Sequence, residues 1–167
     1  MGDLQQNGST TMWVLLDQIA DLERRVGRIY ERFADLFRLA PLVAAYWRDM
    51  AAEERLHALV VAAAREVFPA TEPAPVGRWQ QQLGDLGRLL RTLEARAQQG
   101  MSLEEAFTCA ETVETSELNA VTALIIRHSG GGFSRLGPLV SHAGLDRHRE
   151  KVLQARQSFC SAEKTRS

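Results

Sequence analysis

Apolar residues recur at helical spacing along most of the chain, and proline and glycine separate the resulting segments. From residue 11 to about residue 38 the apolar positions lie three or four residues apart, as on one face of a helix. Pro41 suits the first turn of a second helix, which runs to about Phe68 and is stopped by the prolines that begin at Pro69. No segment alternates apolar and polar residues with period two. The pattern therefore predicts an all-α protein.

A long connecting segment follows the second helix. It contains an amphipathic stretch from about Trp79 to Ala97, which is closed by Gly100. Five leucines in this stretch are spaced for one buried face: Leu83, Leu86, Leu89, Leu90 and Leu93. The segment is thus a partly helical crossover between two halves of the chain.

Two more helices are predicted after the crossover. Ser102 and Glu105 match a capping box, which opens a helix that runs to about Arg127. Three glycines at 130–132 break the chain, and a last helix extends from near Pro138 to near Phe159.

Two antiparallel helical hairpins joined by one long crossover are typical of a ferritin-like four-helix bundle. We expect this bundle over residues 11–160. Residues 1–10 are expected to form a flexible lead and residues 161–167 a flexible tail.

Composition narrows the partners and the compartment. The 167 residues carry a net charge of −1 with mixed signs, which argues against binding to nucleic acid or to an anionic membrane. No apolar run approaches the ~20 residues that span a bilayer, and the first residues do not form a signal peptide. Cys109 and Cys160 form no Cys-x-x-Cys motif and suit a reducing compartment. We therefore expect a cytoplasmic protein.

The most informative motif is Glu54-x-x-His57 on the second helix. Three positions on a helix bring a carboxylate and an imidazole onto one face, one turn apart. In carboxylate-bridged di-iron bundles, such an inward-facing pair is half of the ligand set. Glu53 is rotated away from this face and is expected to be solvated. Glu23 on the first helix has apolar neighbours on its own face and is expected to point inward.

A second copy of this arrangement appears in the other hairpin. A shift of 91 residues places Glu23 on Glu114 and His57 on His148, whereas the position of the middle acid holds Leu145. Four inward-facing groups from four helices would then converge in the bundle. Carboxylate oxygens with imidazole nitrogens suit iron, with manganese possible, better than a thiophilic metal.

These motifs resemble the rubrerythrin branch of the ferritin-like superfamily over about residues 12–160. The resemblance rests on Glu23 with Tyr30 seven positions on, on the run Ala51-x-Glu53-Glu54-x-x-His57, and on Glu114, Glu117 and His148. It implies a di-iron site with the ligands Glu23, Glu54, His57, Glu114, Glu117 and His148. It also implies that Tyr30 lies beside the iron, in a catalytic role.

The same resemblance implies oxidase or peroxidase chemistry, with oxygen or peroxide as the substrate. Rubrerythrins proper carry a rubredoxin module with four cysteines, which this chain lacks. Electrons would therefore come from a separate donor. We also expect a homodimer, because the leucine face of the crossover must be buried somewhere.

Leu145 departs from the family pattern, which has glutamate at this position. His142, one turn earlier on the same face, and Glu117 are candidate replacements for the missing ligand. The site is then di-metal with altered ligands, mono-metal, or lost. Two other functions stay open: a non-catalytic iron-handling or sensing module, and a metal-free helical interaction protein.

Overall fold

The computed structural model describes residues 11–66, 76–116 and 147–164, and every regular element in these ranges is helical. In chain order the helices are α1 (Met12–Leu36), α2 (Pro41–Ala63), α3 (Val76–Gln99), α4 (Leu103–Glu114) and α5 (His148–Lys164), with a 3-10 turn, Ala64–Glu66, after α2. The prediction of an all-α protein is confirmed. None of these helices is long and apolar enough to cross a membrane.

The first two helices form an antiparallel hairpin with a connection of four residues. Arg65 near the end of α2 pairs with Asp17 near the start of α1, at 2.8 Å. At the other end Trp47 packs on Phe33, with 5.0 Å between ring centroids. Later residues of α2 thus face earlier residues of α1, and a core of apolar side chains fills the space between the helices.

Helix α3 packs along α1 in the same direction. Arg25 on α1 makes two 2.8 Å contacts with the carboxylate of Glu94, and Arg32 donates to the carbonyl of Ala97 at 3.3 Å. The leucine face predicted for the crossover is buried: Leu83, Leu86, Leu90 and Leu93 are at most 6% exposed, and Leu89 packs against the core in part. This face is covered within the chain, so it no longer supplies a reason for the homodimer, which stays a prediction.

Local signals set the start of α4. Gly100 has φ +87°, a conformation that favours glycine, and it turns the chain after α3. Ser102 and Glu105 form the predicted capping box, in which each side chain bonds the other residue's backbone N–H. Helix α4 ends at Glu114 with a turn at Thr115, whereas the sequence pattern carried it to about residue 127.

Helices α4 and α5 run antiparallel to each other. Arg156 on α5 contacts Glu104 and Glu111 on α4, and His148 at the start of α5 lies next to Glu114 at the end of α4. Helix α5 continues to Lys164, past the expected start of the tail at residue 161. The expected lead at 1–10, residues 117–146 between α4 and α5, and residues 165–167 lie outside the described residues.

Packing of α3 on α1 is testable through its most buried leucine. Leu90 is 1% exposed, and Leu90→Ala should destabilise the protein by ~2–5 kcal/mol, because truncation leaves a cavity between two helices. Leu59→Ala is the matched control, since Leu59 is 65% exposed on α2 and its loss should change stability by less than ~0.5 kcal/mol. Urea unfolding curves measure both. Equal effects of the two variants would show that α3 does not pack as described.

Candidate metal centre

Within the part of the chain that the structure describes, three acids and two histidines are buried together between the helix pairs α1/α2 and α4/α5. Glu23, Glu54, His57, Glu114 and His148 are each at most 6% exposed, and they come from α1, α2, α4 and α5. Unpaired buried charges cost several kcal/mol each, so a cluster of this kind needs compensating partners. The contacts within the cluster show how the charges are arranged.

Glu54 lies at the centre of the cluster. Its Oε2 is 3.1 Å from Nδ1 of His57, one turn further along α2, and its Oε1 is 3.0 Å from Nδ1 of His148 on α5. The two imidazole rings lie 4.7 Å apart, centroid to centroid. The carboxylate of Glu54 therefore bridges the Nδ1 atom of His57 on α2 and the Nδ1 atom of His148 on α5.

The two outer acids, Glu23 and Glu114, repeat this arrangement in the helix pairs α1/α2 and α4/α5. Glu23 Oε2 lies 3.8 Å from Nδ1 of His57, and Glu114 Oε2 lies 3.6 Å from Nδ1 of His148. The 91-residue repeat in the sequence thus corresponds to a repeat in space, with Glu54 between the two halves.

The electrostatics of Glu54 and His148 reflect this packing. Burial alone would raise the pKa of Glu54, but the contacts with His148 and His57 outweigh it and lower the pKa to about 2. Burial alone would lower the pKa of His148, but Glu114 and Glu54 raise it to about 10. Without a metal ion, the proton on His148 therefore compensates part of the negative charge of Glu54 and Glu114.

Tyr30 lies next to Glu114 and is completely buried. Its hydroxyl donates to Oε1 of Glu114 at 2.6 Å. Burial, followed by the charges of Glu114 and Glu54, raises the pKa of Tyr30 well above its usual value. The phenol therefore stays protonated and holds Glu114 in place as a hydrogen-bond donor.

Aromatic rings close one side of the cluster. Trp47 is fully buried, 5.6 Å from the Tyr30 ring and 4.8 Å from the Phe107 ring. Tyr46 and Phe159 extend the stack toward α5. This wall separates the acids from water on that side.

Three of these residues have the geometry of a cation site. Ligand atoms of Glu54, His57 and His148 all lie within 4.8 Å of one another, and all three residues are buried. Two imidazole nitrogens and a carboxylate oxygen suit iron, manganese or zinc, so the donors fit the group implied by the sequence.

Glu53 differs from its sequence-based expectation. It was expected to be a solvated neighbour, but its side chain is only 31% exposed and its Oε2 lies 2.6 Å from Nε2 of His148. Lys151 contacts both carboxylate oxygens of Glu53 at 2.6 Å. Rotation away from Glu54 points this residue at α5 rather than at solvent. Of the other candidates, Glu117, His142 and Leu145 lie outside the described residues.

Comparisons with protein-family models, with curated proteins and with solved structures return no match to this chain. The functional argument therefore depends on the chemistry of the cluster itself.

The pKa shifts predict how the stability of the metal-free protein depends on pH. The contribution of Glu54 is present above its ordinary pKa of 4.5 and is lost as the pH falls through about 2. The contribution of His148 is present below its ordinary pKa of 6.5 and is lost as the pH rises through about 10. Both are complete only between pH 4.5 and 6.5.

Denaturant unfolding of chelator-treated protein from pH 5 to pH 10 measures the alkaline side of this dependence. The free energy of unfolding should fall from about pH 6.5 upward, and the fall should be smaller in His148→Gln, which has no charge to lose at this position. Asp49→Asn, an exposed acid on α2, is the control and should behave as the unmodified protein does. A metal-free protein that gains stability over this range relative to His148→Gln would contradict the arrangement.

Proposed function

We propose that this chain is a ferritin-like iron-binding protein of the rubrerythrin type, with oxidase or peroxidase chemistry at a carboxylate and histidine site. In this proposal α1, α2, α4 and α5 form the four-helix bundle and α3 is the crossover. The directions of the helices support it. Because α3 returns along α1, the chain enters α4 running in the same direction as α2, which is what a single long crossover accomplishes.

One observation carries the proposal: the bridging position of Glu54. A buried carboxylate 3.0–3.1 Å from Nδ1 of two imidazoles is placed to share a cation with them, and a second acid stands beyond each imidazole. Three acids and two histidines buried in one place are not expected on a solvated helix face, and they would destabilise an ordinary apolar core.

The proposed ligands are Glu54, His57 and His148, with Glu23 and Glu114 on either side. Ferrous iron held there would supply electrons to oxygen or peroxide, and a separate donor would restore them. Glu117 remains a proposed ligand on the basis of the resemblance alone. The proposal covers one or two metal ions, and manganese is the alternative metal.

The side chains around the ligands have defined tasks in this proposal. Glu54 holds His57 and His148 through their Nδ1 atoms. A metal ion bound at Nδ1 of His148 would displace the proton there. Tyr30 orients Glu114 and keeps a protonated hydroxyl beside the site. The ring of Trp47 excludes water from the inner side.

The test measures bound iron and ferrous oxidation in the same preparations. Glu54→Ala and His57→Ala should each weaken ferrous iron binding by at least about 100-fold, since even partners of metal ligands cost 10–100-fold in affinity. Asp49→Asn, an exposed acid on the same helix, should bind iron as the unmodified protein does. Anaerobic ferrous titration gives the affinities, and stopped-flow absorbance after addition of oxygen or peroxide gives the rates.

The outcomes separate the three candidate functions. Oxidation faster than in buffer, lost in both alanine variants, supports the enzyme. Tight binding with no oxidation above the buffer rate leaves a non-catalytic iron-handling or sensing module. A purified protein that binds neither iron nor manganese leaves a metal-free helical interaction protein.

A further inference from the structure

The imidazole of His148 is held on both edges by consecutive residues of α2. Nδ1 lies 3.0 Å from Oε1 of Glu54, and Nε2 lies 2.6 Å from Oε2 of Glu53. The second contact is short but lies off the direction of the ring N–H bond, so it is an ion pair rather than an aligned hydrogen bond. The ring is fully buried, whereas Glu53 reaches the edge of the cluster at 31% exposure.

Lys151 completes this arrangement from α5. It lies three residues after His148, on the same side of the helix, and its Nζ is 2.6 Å from each oxygen of Glu53. The side chain of Lys151 is 40% exposed. Glu53 is therefore held between an imidazole in the interior and an ammonium at the surface, and it links α2 to α5 beside the proposed ligands.

We propose that Glu53 and Lys151 are a positioning pair for His148. Glu53 and Lys151 keep Nε2–H of His148 on the side of Glu53, so that Nδ1 faces the metal. Neither residue is itself a ligand. This inference rests on the proposed function, since it concerns which nitrogen of His148 binds the metal.

The pair has a specific task because packing alone does not select a ring orientation. The χ2 torsion of histidine is broad and roughly two-fold, so the ring can turn over within a similar volume. In a metal-bound histidine one ring nitrogen binds the metal and the other carries the proton. The group next to the protonated nitrogen decides which nitrogen this is, and it is commonly a carboxylate. Glu53 places a carboxylate at Nε2, here in an ion pair, and the two contacts from Lys151 fix where that carboxylate points.

Zinc is a suitable probe, because Zn²⁺ accepts histidine and carboxylate ligands and is diamagnetic. Calorimetric titration of the full chain gives its affinity. ¹⁵N spectra of histidine-labelled, zinc-loaded protein report which nitrogen of His148 binds the metal and which carries the proton. Unfolding of the metal-free variants reports any loss of stability.

The variants separate positioning from charge and from folding. Glu53→Ala should weaken zinc binding by about 10–100-fold and should populate a second form with zinc on Nε2 of His148. Glu53→Gln keeps an oxygen acceptor and should recover part of the affinity and the single Nδ1-bound form. Lys151→Gln should fall between them. Asp49→Asn and Arg149→Gln, which remove exposed charges from the same two helices, should match the unmodified protein.

Three results would overturn the inference. Zinc on Nε2 of His148 in the unmodified protein would reverse the proposed orientation. A Glu53→Ala affinity equal to that of Asp49→Asn would show that the pair does nothing for the site, while leaving the proposed function intact. An unmodified protein that binds neither zinc nor ferrous iron would remove the proposed function first and this inference with it.

Discussion

The carboxylate of Glu54, buried between the Nδ1 atoms of His57 and His148, is the interaction on which the rest of the structure depends. A carboxylate in a helical interior is stable only with positive partners close by. His148, whose pKa is raised to about 10, is such a partner, and the contacts of Glu54 with His148 and His57 outweigh burial and lower the pKa of Glu54 to about 2. The same oxygens and nitrogens are the donors that a hard metal ion takes. Protonated His148 fills the role of positive partner in the metal-free protein, and a metal ion would fill it in the proposed function.

The path of the chain brings these residues together. Glu54 and His57 share a face of α2 because they are three residues apart, and Glu23 meets them because α1 and α2 are antiparallel. Glu114 and His148 lie on α4 and α5, and α3 brings the chain to this position by returning along α1. The salt bridge between Arg25 and Glu94 and the buried leucines of α3 thus contribute to the site from a distance.

The sequence predicted those features that local physics determines. Pro41 begins a helix, Ser102 and Glu105 cap one, and Gly100 ends one, because each acts on its own neighbours. The buried face of α3 followed from the spacing of its leucines. The partner of that face did not, because periodicity says that a face is buried and not what covers it. The expectation of a homodimer arose from this gap.

The site shows the same division between local and distant information. Periodicity and the 91-residue repeat selected Glu23, Glu54, His57, Glu114 and His148, and the structure places them in one cluster. The expectation that Glu53 is solvated was wrong, because the pattern of a single helix separates only a buried face from a solvent face. In the folded chain, the direction about 100° from Glu54 faces α5, where Lys151 and His148 lie 98 and 95 residues further along the sequence. The sequence of α2 alone does not predict that α5 lies beside Glu53.

Anomalous X-ray diffraction at the iron edge, from crystals grown with ferrous iron under anaerobic conditions, tests the central claim most directly. The account predicts an anomalous peak within coordination distance of Glu54 and of Nδ1 of both His57 and His148. A peak elsewhere in the protein, or its absence with Glu54 still bridging the two imidazoles, would contradict it.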